Sequence, residues 1–461
     1  MLPREGRALV TPPAAIPERT ALLDRLGFLL TLVFLFLTLS RVSDLLVPSM
    51  HLPAITGGGA LLAGLLTRKL FRGLAFPAGK ALCAMTVWMM FALPFSVWRG
   101  GSMDTLIAWL KAFAVYGMLA AFVPTLEQLR TAVNVVAAAI LVLGLSSLVA
   151  GSSDSGRLAF ERVKFGNPND LAQMLLIGLP MWWLIASRPW RSLAGKLLAF
   201  GLSAPLLVAF VRTGSRGGLI GFAAVLAFLC LTGGAKRAVA IGLGAVILAG
   251  AAFVALPGEV RQRFFLLFGG PGESIEGGNP YLYETATASA QQRWVLLKDS
   301  LLLTARNPLL GVGPGQFTVA QRDLAGARGE YAAWRVTHNS YTQVSSENGI
   351  PALFFYAAAI LSCLRTFRRA ARLTGNAQAK ELASTGLFLT LSLVAYIVSA
   401  LFASVAYDLQ LPMLAGLAAA LAFLMGAEVK PSARFPMYVR SRAGAPAAAK
   451  RAAAAAGGGA R

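Results

Sequence analysis

The chain has 461 residues, of which 56% are hydrophobic and only 13% charged, and it carries a formal net charge of +22. Soluble domains hold about 25% charged residues, so this composition and a mean hydropathy of +0.64 exclude an ordinary soluble fold. Cys83, Cys230 and Cys363 all lie inside or at the ends of apolar runs, which speaks against a disulfide framework or a cysteine-based metal site.

The polar opening MLPREGRALVTPPAAIPERT lacks the order of a cleaved signal, so the first apolar run is expected to stay as a membrane helix. Twelve such runs follow in chain order, at roughly 24–42, 52–67, 80–98, 105–123, 131–149, 170–187, 196–212, 216–233, 238–256, 347–364, 383–404 and 410–427. A helix needs ~20 apolar residues to cross a bilayer. The runs are too long and too uniformly apolar for the alternating strands of a barrel. The fold class is therefore all-α and integral to a membrane, with about 12 transmembrane helices.

The charges orient these runs. Arg4, Arg7 and Arg19, then Arg68, Lys69 and Arg72, then Arg130, then Arg188, Arg191 and Lys196, then Lys236 and Arg237, then Arg365, Arg368, Arg369, Arg372 and Lys380 all fall on one side. Basic loops stay cytoplasmic, so both termini are expected inside. This excess of cations is not a nucleic-acid footprint, because no basic stripe is interleaved with aromatics outside the apolar runs. The expected organisation is a cytoplasmic N-terminus (1–20), nine spans (21–256), an outer domain (257–346), three more spans (347–427) and a basic, low-complexity, disordered tail (428–461).

The outer domain is too long for a plain connection and holds Trp294, Trp334, Phe317 and several tyrosines. Within it SAQQRWVLLKDSLLLTARNPLLG has helical spacing and is stopped by NP and GVGPG. We read a small helical cap on the outer face.

Candidate chemistry gathers at that face. The turn VRTGSRGGLIG joins the seventh and eighth runs, with Arg212 and Arg216 at the boundary and glycines that permit close approach. Arg216 at a helix start makes an anion site, unless it is a cation snorkelling to the interface. Arg293 opens the helical stretch RWVLLKDSLL and Arg306 ends it; taken alone, Arg293 reads first as a solvated helix charge. GVGPG is either a nest of backbone donors for an oxyanion or a tight turn. It lacks the lysine of a P-loop and follows no strand, which excludes nucleotide binding.

His338 is one of only two histidines and stands beside Asn339, Tyr341 and Glu347 where the tenth run begins. An unperturbed imidazole is mostly neutral at pH 7 and can take a proton. The other, His51, reads as an interfacial loop residue. Lys111, two turns into the fourth run, is either functional or a snorkelling cation near Asp104. Asp154 and Asp170 lack a third partner, so no metal ligand set is expected. Arginines that hold a departing diphosphate, with a neutral histidine that deprotonates a hydroxyl, suit transfer of a group from a lipid-linked diphosphate to an alcohol.

TGSRGG, RW…NPLLGVGPGQF and HNSY…ENGIPA, in this order, resemble the lipopolysaccharide O-antigen ligases of the O-antigen ligase and polymerase superfamily, from about residue 20 to 427. The resemblance implies a GT-C-type glycosyltransferase of the bacterial inner membrane with a periplasmic active site and no cofactor or metal. The implied donor is an undecaprenyl-diphosphate-linked glycan and the acceptor the lipid A–core oligosaccharide. It implies diphosphate binding by Arg216 and Arg293, and a base at His338. Arg157, Arg162 and Asn169, in RLAFERVKFGNPND, are weaker candidates on the same ground. Further outer-face arginines (Arg261, Arg263, Arg322, Arg328 and Arg335) are available to an anionic acceptor or simply solvated.

A polymerase or a protein O-oligosaccharyltransferase would share the donor and differ in acceptor. A lipid-polysaccharide transporter or flippase is the rival of another class. Transporters usually show internal repeats and mid-membrane charges, and here no repeat is evident and mid-span charges are nearly absent.

Overall fold

A computed structural model describes residues 18–151, 157–160, 167–188, 192–233, 280–330, 332 and 334–429. The ninth run, Arg162, Asp154, Arg261, Arg263 and most of the terminal segments lie outside the described residues. Among the described residues the chain is built from helices: α1 (Glu18–Ser40), α2 (Val42–Leu46), α3 (Leu52–Leu66), α4 (Pro77–Ala92), α5 (Arg99–Phe122), α6 (Leu126–Ala150), α7 (Pro168–Ser187), α8 (Leu193–Gly201), α9 (Ser203–Arg212), α10 (Arg216–Gly233), α11 (Pro280–Arg306), α12 (Phe317–Gly326), α13 (Ser340–Ala371), α14 (Ala377–Ser399) and α15 (Gln410–Val429). Eight helical stretches are long and apolar enough to cross a membrane, and three shorter apolar helices accompany them. These account for every expected run except the ninth.

The starts of the helices are written in local chemistry. Thr125 and Gln128 form a reciprocal capping box at α6. Asn167 caps α7 with Pro168 in its first turn, and Asn376 caps α14 through the Ala379 amide. The described residues up to Leu424 form one compact unit. Its centre is α7, buried along most of its length. It lies between α6 on one flank and α14 on the other, while α10 and α13 also pack on α14. Ser392 of α14 donates to the Ile177 carbonyl of α7, a polar tie of the kind that helices in lipid use. α1 and α3 pack on one another and leave Leu22, Leu29, Ile55 and Leu62 exposed.

Several boundaries shift by about five residues from the sequence expectation, and three of the differences bear on the site. The seventh run is not one helix but α8 and α9, separated at Leu202. The tenth begins earlier, at Ser340, and kinks at Gly349, where φ is 79°. The eleventh ends at Ser399 rather than 404, which frees residues 400–405 to turn under the start of α13. Apolar character persists through LFASVA in this turn, so hydropathy alone could not end the helix there.

Candidate active site

The site is assembled from three helix starts and turns. The first is the turn before α10. Gly214 takes a left-handed φ of 57°, a region glycine enters without steric cost. The Ser215 hydroxyl then accepts the Gly218 amide at 3.1 Å and donates to Asn169 at 2.8 Å. That aims the first turn of α10, with Arg216, at the α14–α15 connection. A side chain at Gly217 would collide with Phe402, and one at Gly218 would press on Phe210 and Ala172. The SRGG sequence is thus a packing requirement as well as an anion-binding start.

The second element is α11, which carries Arg293 and Trp294 and packs against α13 and α12. Its orientation is fixed by buried Asp299, which accepts from Gln321 at 3.1 Å and from Arg328 at 2.8 Å. Arg328, held there and beside Glu330, is a structural latch.

The third element is the turn carrying His338. His338 sits at φ 53°, uncommon for a side-chain-bearing residue. The surroundings hold it there: its amide donates to Ser404 at 2.8 Å, and Thr337 shares a 2.9 Å bond with the same hydroxyl. Asn339 caps α13 through the Tyr341 and Thr342 amides. Ser340 donates to the Ala403 carbonyl at 2.7 Å and accepts from Val405. The 400–405 turn is therefore the bed on which the histidine lies.

These elements enclose one cavity of about 330 Å³, lined by Arg216, Arg293, His338, Thr337 and Asn339 at its polar part and by Ile220, Leu297, Leu401, Phe402 and Trp294 elsewhere. His338 Nδ1 is buried and takes no hydrogen bond among the described residues. Burial first, then the positive charges of Arg293 and Arg335, push the imidazole down from 6.5 to about 4. The ring is neutral at physiological pH.

The O-antigen ligase family matches residues 201–357, a stretch that contains Arg216, Arg293 and His338. That segment of the chain is thus similar to the O-antigen ligase family. No curated protein matches the chain.

The remaining candidates fall in different places. Arg157 donates to the Thr213 carbonyl at 2.8 Å and to Asn169 at 3.1 Å. Both residues therefore brace the turn that launches Arg216 and do not line the cavity. Arg212 is exposed and contributes its carbonyl to the Leu158 amide. Arg306 is exposed at the end of α11, and Lys111 is exposed on α5; neither lines the cavity. Arg322 pairs with Asp323 and lies 5.0 Å from the Trp334 ring. His51 is exposed with its Nδ1 2.9 Å from the Ser49 carbonyl. Among the described residues no three of His, Cys, Asp and Glu come together as a metal-ligand set.

GVGPG is a nest, but its anion is internal. The Glu347 carboxylate, buried in α13, accepts from the Gly315 amide at 3.0 Å and the Phe317 amide at 3.4 Å. Backbone bonds from Val312 and Gly313 to Ser346 and Glu347, and from Ile350 to Pro308, complete the junction. Glu347 thus caps α12 and joins the end of α11 to α13. Sequence reading missed this clamp and the Leu401–Ser404 bed. A glutamate entering an apolar helix, opposite a glycine nest, was the available signal for the first; the second carries none.

Proposed function

We propose that the protein is an O-antigen ligase that transfers a glycan from undecaprenyl diphosphate to the lipid A–core oligosaccharide. One observation carries the reading: two arginines and a neutral histidine face a single cavity whose other walls are apolar. An anion with an isoprenoid attached matches that division. Arg216 and Arg293 hold the diphosphate, and Ile220, Leu297, Leu401 and Phe402 receive the first isoprene units.

In the transfer, the acceptor hydroxyl oxygen attacks the anomeric carbon of the donor sugar while its proton passes to His338. The bond from that carbon to the diphosphate oxygen breaks, and its electron pair leaves with the diphosphate. Attack opposite the leaving group inverts the anomeric centre. The guanidinium charges stabilise the third negative charge that develops on the departing diphosphate, where other transferases place a divalent cation. The reaction is metal-independent on this account.

The reading includes a bilayer frame of twelve spans of GT-C type in the bacterial inner membrane, with 238–256 as the ninth. Both termini are cytoplasmic and the cavity is periplasmic. A polymerase or a protein O-oligosaccharyltransferase would use the same donor machinery and differ only in the hydroxyl it accepts. The family match, together with the meeting of Arg216, Arg293 and His338 at one cavity, favours an enzyme over a transporter.

The test is reconstitution of purified protein with lipid-linked donor and lipid A–core in the presence of a chelator, followed by mass spectrometry of the product. Expected is a core-linked glycan of inverted configuration that is absent with H338A or R216A. Full transfer by both variants, or a strict need for Mg²⁺, would overturn the mechanism. Elongated donor in place of core-linked glycan would make the protein a polymerase.

A further inference from the structure

A second cavity, of about 470 Å³, opens on the flank of the bundle between α4 and α13, away from the histidine and arginines. Leu74, Cys83, Ala84, Val87, Trp88 and Phe355 line it, and the one charged lining residue is Lys80. From Lys80 to Trp88 the groove follows α4 for about 12 Å at 1.5 Å per residue, the reach of the upper part of an acyl chain. Lys80 lies at the basic end of the bundle, near Arg68, Lys69 and Arg72 in sequence. Lys69 is paired with Asp24, whereas Lys80 forms no ion pair among the described residues.

The floor of the groove is tied by hydrogen bonds to the junction between α11 and α13. Trp88 packs edge-on to Phe355, and its indole N–H donates to the Asn348 carbonyl at 3.0 Å and the Leu309 carbonyl at 3.2 Å. Those two carbonyls flank the junction where Glu347 ties α11 to α13. Whatever fills the groove rests on the tryptophan that props this junction.

We propose that the groove binds an anionic glycerophospholipid of the surrounding bilayer, with its phosphate at Lys80 and one acyl chain along Cys83, Val87 and Trp88. The choice of occupant follows from charge and shape. A long apolar trough on the lipid-facing flank takes a chain, and an unneutralised ammonium at its basic end selects a headgroup with net negative charge over a zwitterionic one.

The experiment uses the full-length protein in nanodiscs of phosphatidylcholine doped with a phosphatidylglycerol that carries a photoreactive acyl chain, with adducts mapped by peptide mass spectrometry. Adducts are expected on the segment 74–88 and at Phe355. Unlabelled phosphatidylglycerol should compete about fivefold better than phosphatidylcholine, the preference that one cation near a membrane surface confers. K80Q should erase that preference, and K80R, which keeps the charge, should retain it. Equal competition by the two lipids, a preference that survives K80Q, or a preference lost in K80R as in K80Q would each overturn the proposal. Stronger competition by undecaprenyl phosphate than by phosphatidylglycerol would also overturn it, by giving the groove to the donor.

Discussion

The donor diphosphate should switch on the base that uses it. In the free protein burial and two neighbouring cations push His338 down from 6.5 to about 4. That difference corresponds to ~3 kcal/mol of bias against the imidazolium at 1.36 kcal/mol per pH unit. A base this weak is a poor proton acceptor from a sugar hydroxyl. A bound diphosphate places negative charge between Arg293 and the ring and removes one of the causes of the depression. The ring's proton affinity then climbs back toward its ordinary value.

The sign follows from linkage. Below about pH 4 the ring is protonated with or without donor, and above 6.5 it is neutral in both. Between these limits binding takes up a proton, so donor affinity rises as pH falls through the window, by up to roughly 300-fold if 6.5 is fully restored. Histidine-labelled protein contains only His51 and His338, so two resonances report the titration directly. Farnesyl diphosphate serves as the probe. Its addition should move the His338 midpoint upward. In kinetics, the acid limb of kcat/KM, which reports the free enzyme, should lie at lower pH than the acid limb of kcat, which reports the complex. R293Q should raise the free midpoint but leave it below 6.5, because burial is the larger cause. A free His338 that titrates at 6.5 or above, or limbs that coincide, would refute the reasoning.

R216A should lower kcat/KM by ~10²–10³, the range for loss of one oxyanion donor, with R216K recovering part; initial rates on lipid-linked donor measure both. E347Q sets an amide N–H against a backbone donor of the GVGPG nest and should destabilise the junction by ~2 kcal/mol, seen as a lower Tm, with slower transfer as α11 loosens. G349A puts a methyl group against the Leu309 carbonyl at a backbone angle suited to glycine and should cost ~1–3 kcal/mol by the same Tm measurement. R157A should raise KM for donor while leaving the His338 resonance unmoved, since Arg157 braces the Arg216 turn and not the histidine bed.

What the sequence made legible and what it concealed divide along a physical line. Helix existence was readable because lipid admits few backbone solutions, so length and uniform hydropathy suffice. Arg216, Arg293 and His338 stood out as candidates chiefly through the resemblance, since by residue type alone each had a plain structural reading. Their meeting in one cavity was not readable. It depends on Gly217 letting Phe402 approach, on Asn169 and Arg157 holding Ser215, and on a helix that stops at Ser399 inside an apolar stretch. None of these leaves a pattern in hydropathy or charge.

The GVGPG nest shows how two correct readings can combine wrongly. Backbone donors awaiting an anion were inferred, and a glutamate at the head of an apolar helix was noticed, but the two were not joined, because they are separated by a turn that carries no periodic signal. The physical constraint that joins them is the cost of an ionised carboxylate among apolar neighbours, which must be met by donors from somewhere. Applied first, that constraint assigns Glu347 to the glycine turn before any substrate is considered. It leaves the donor diphosphate to the arginines alone.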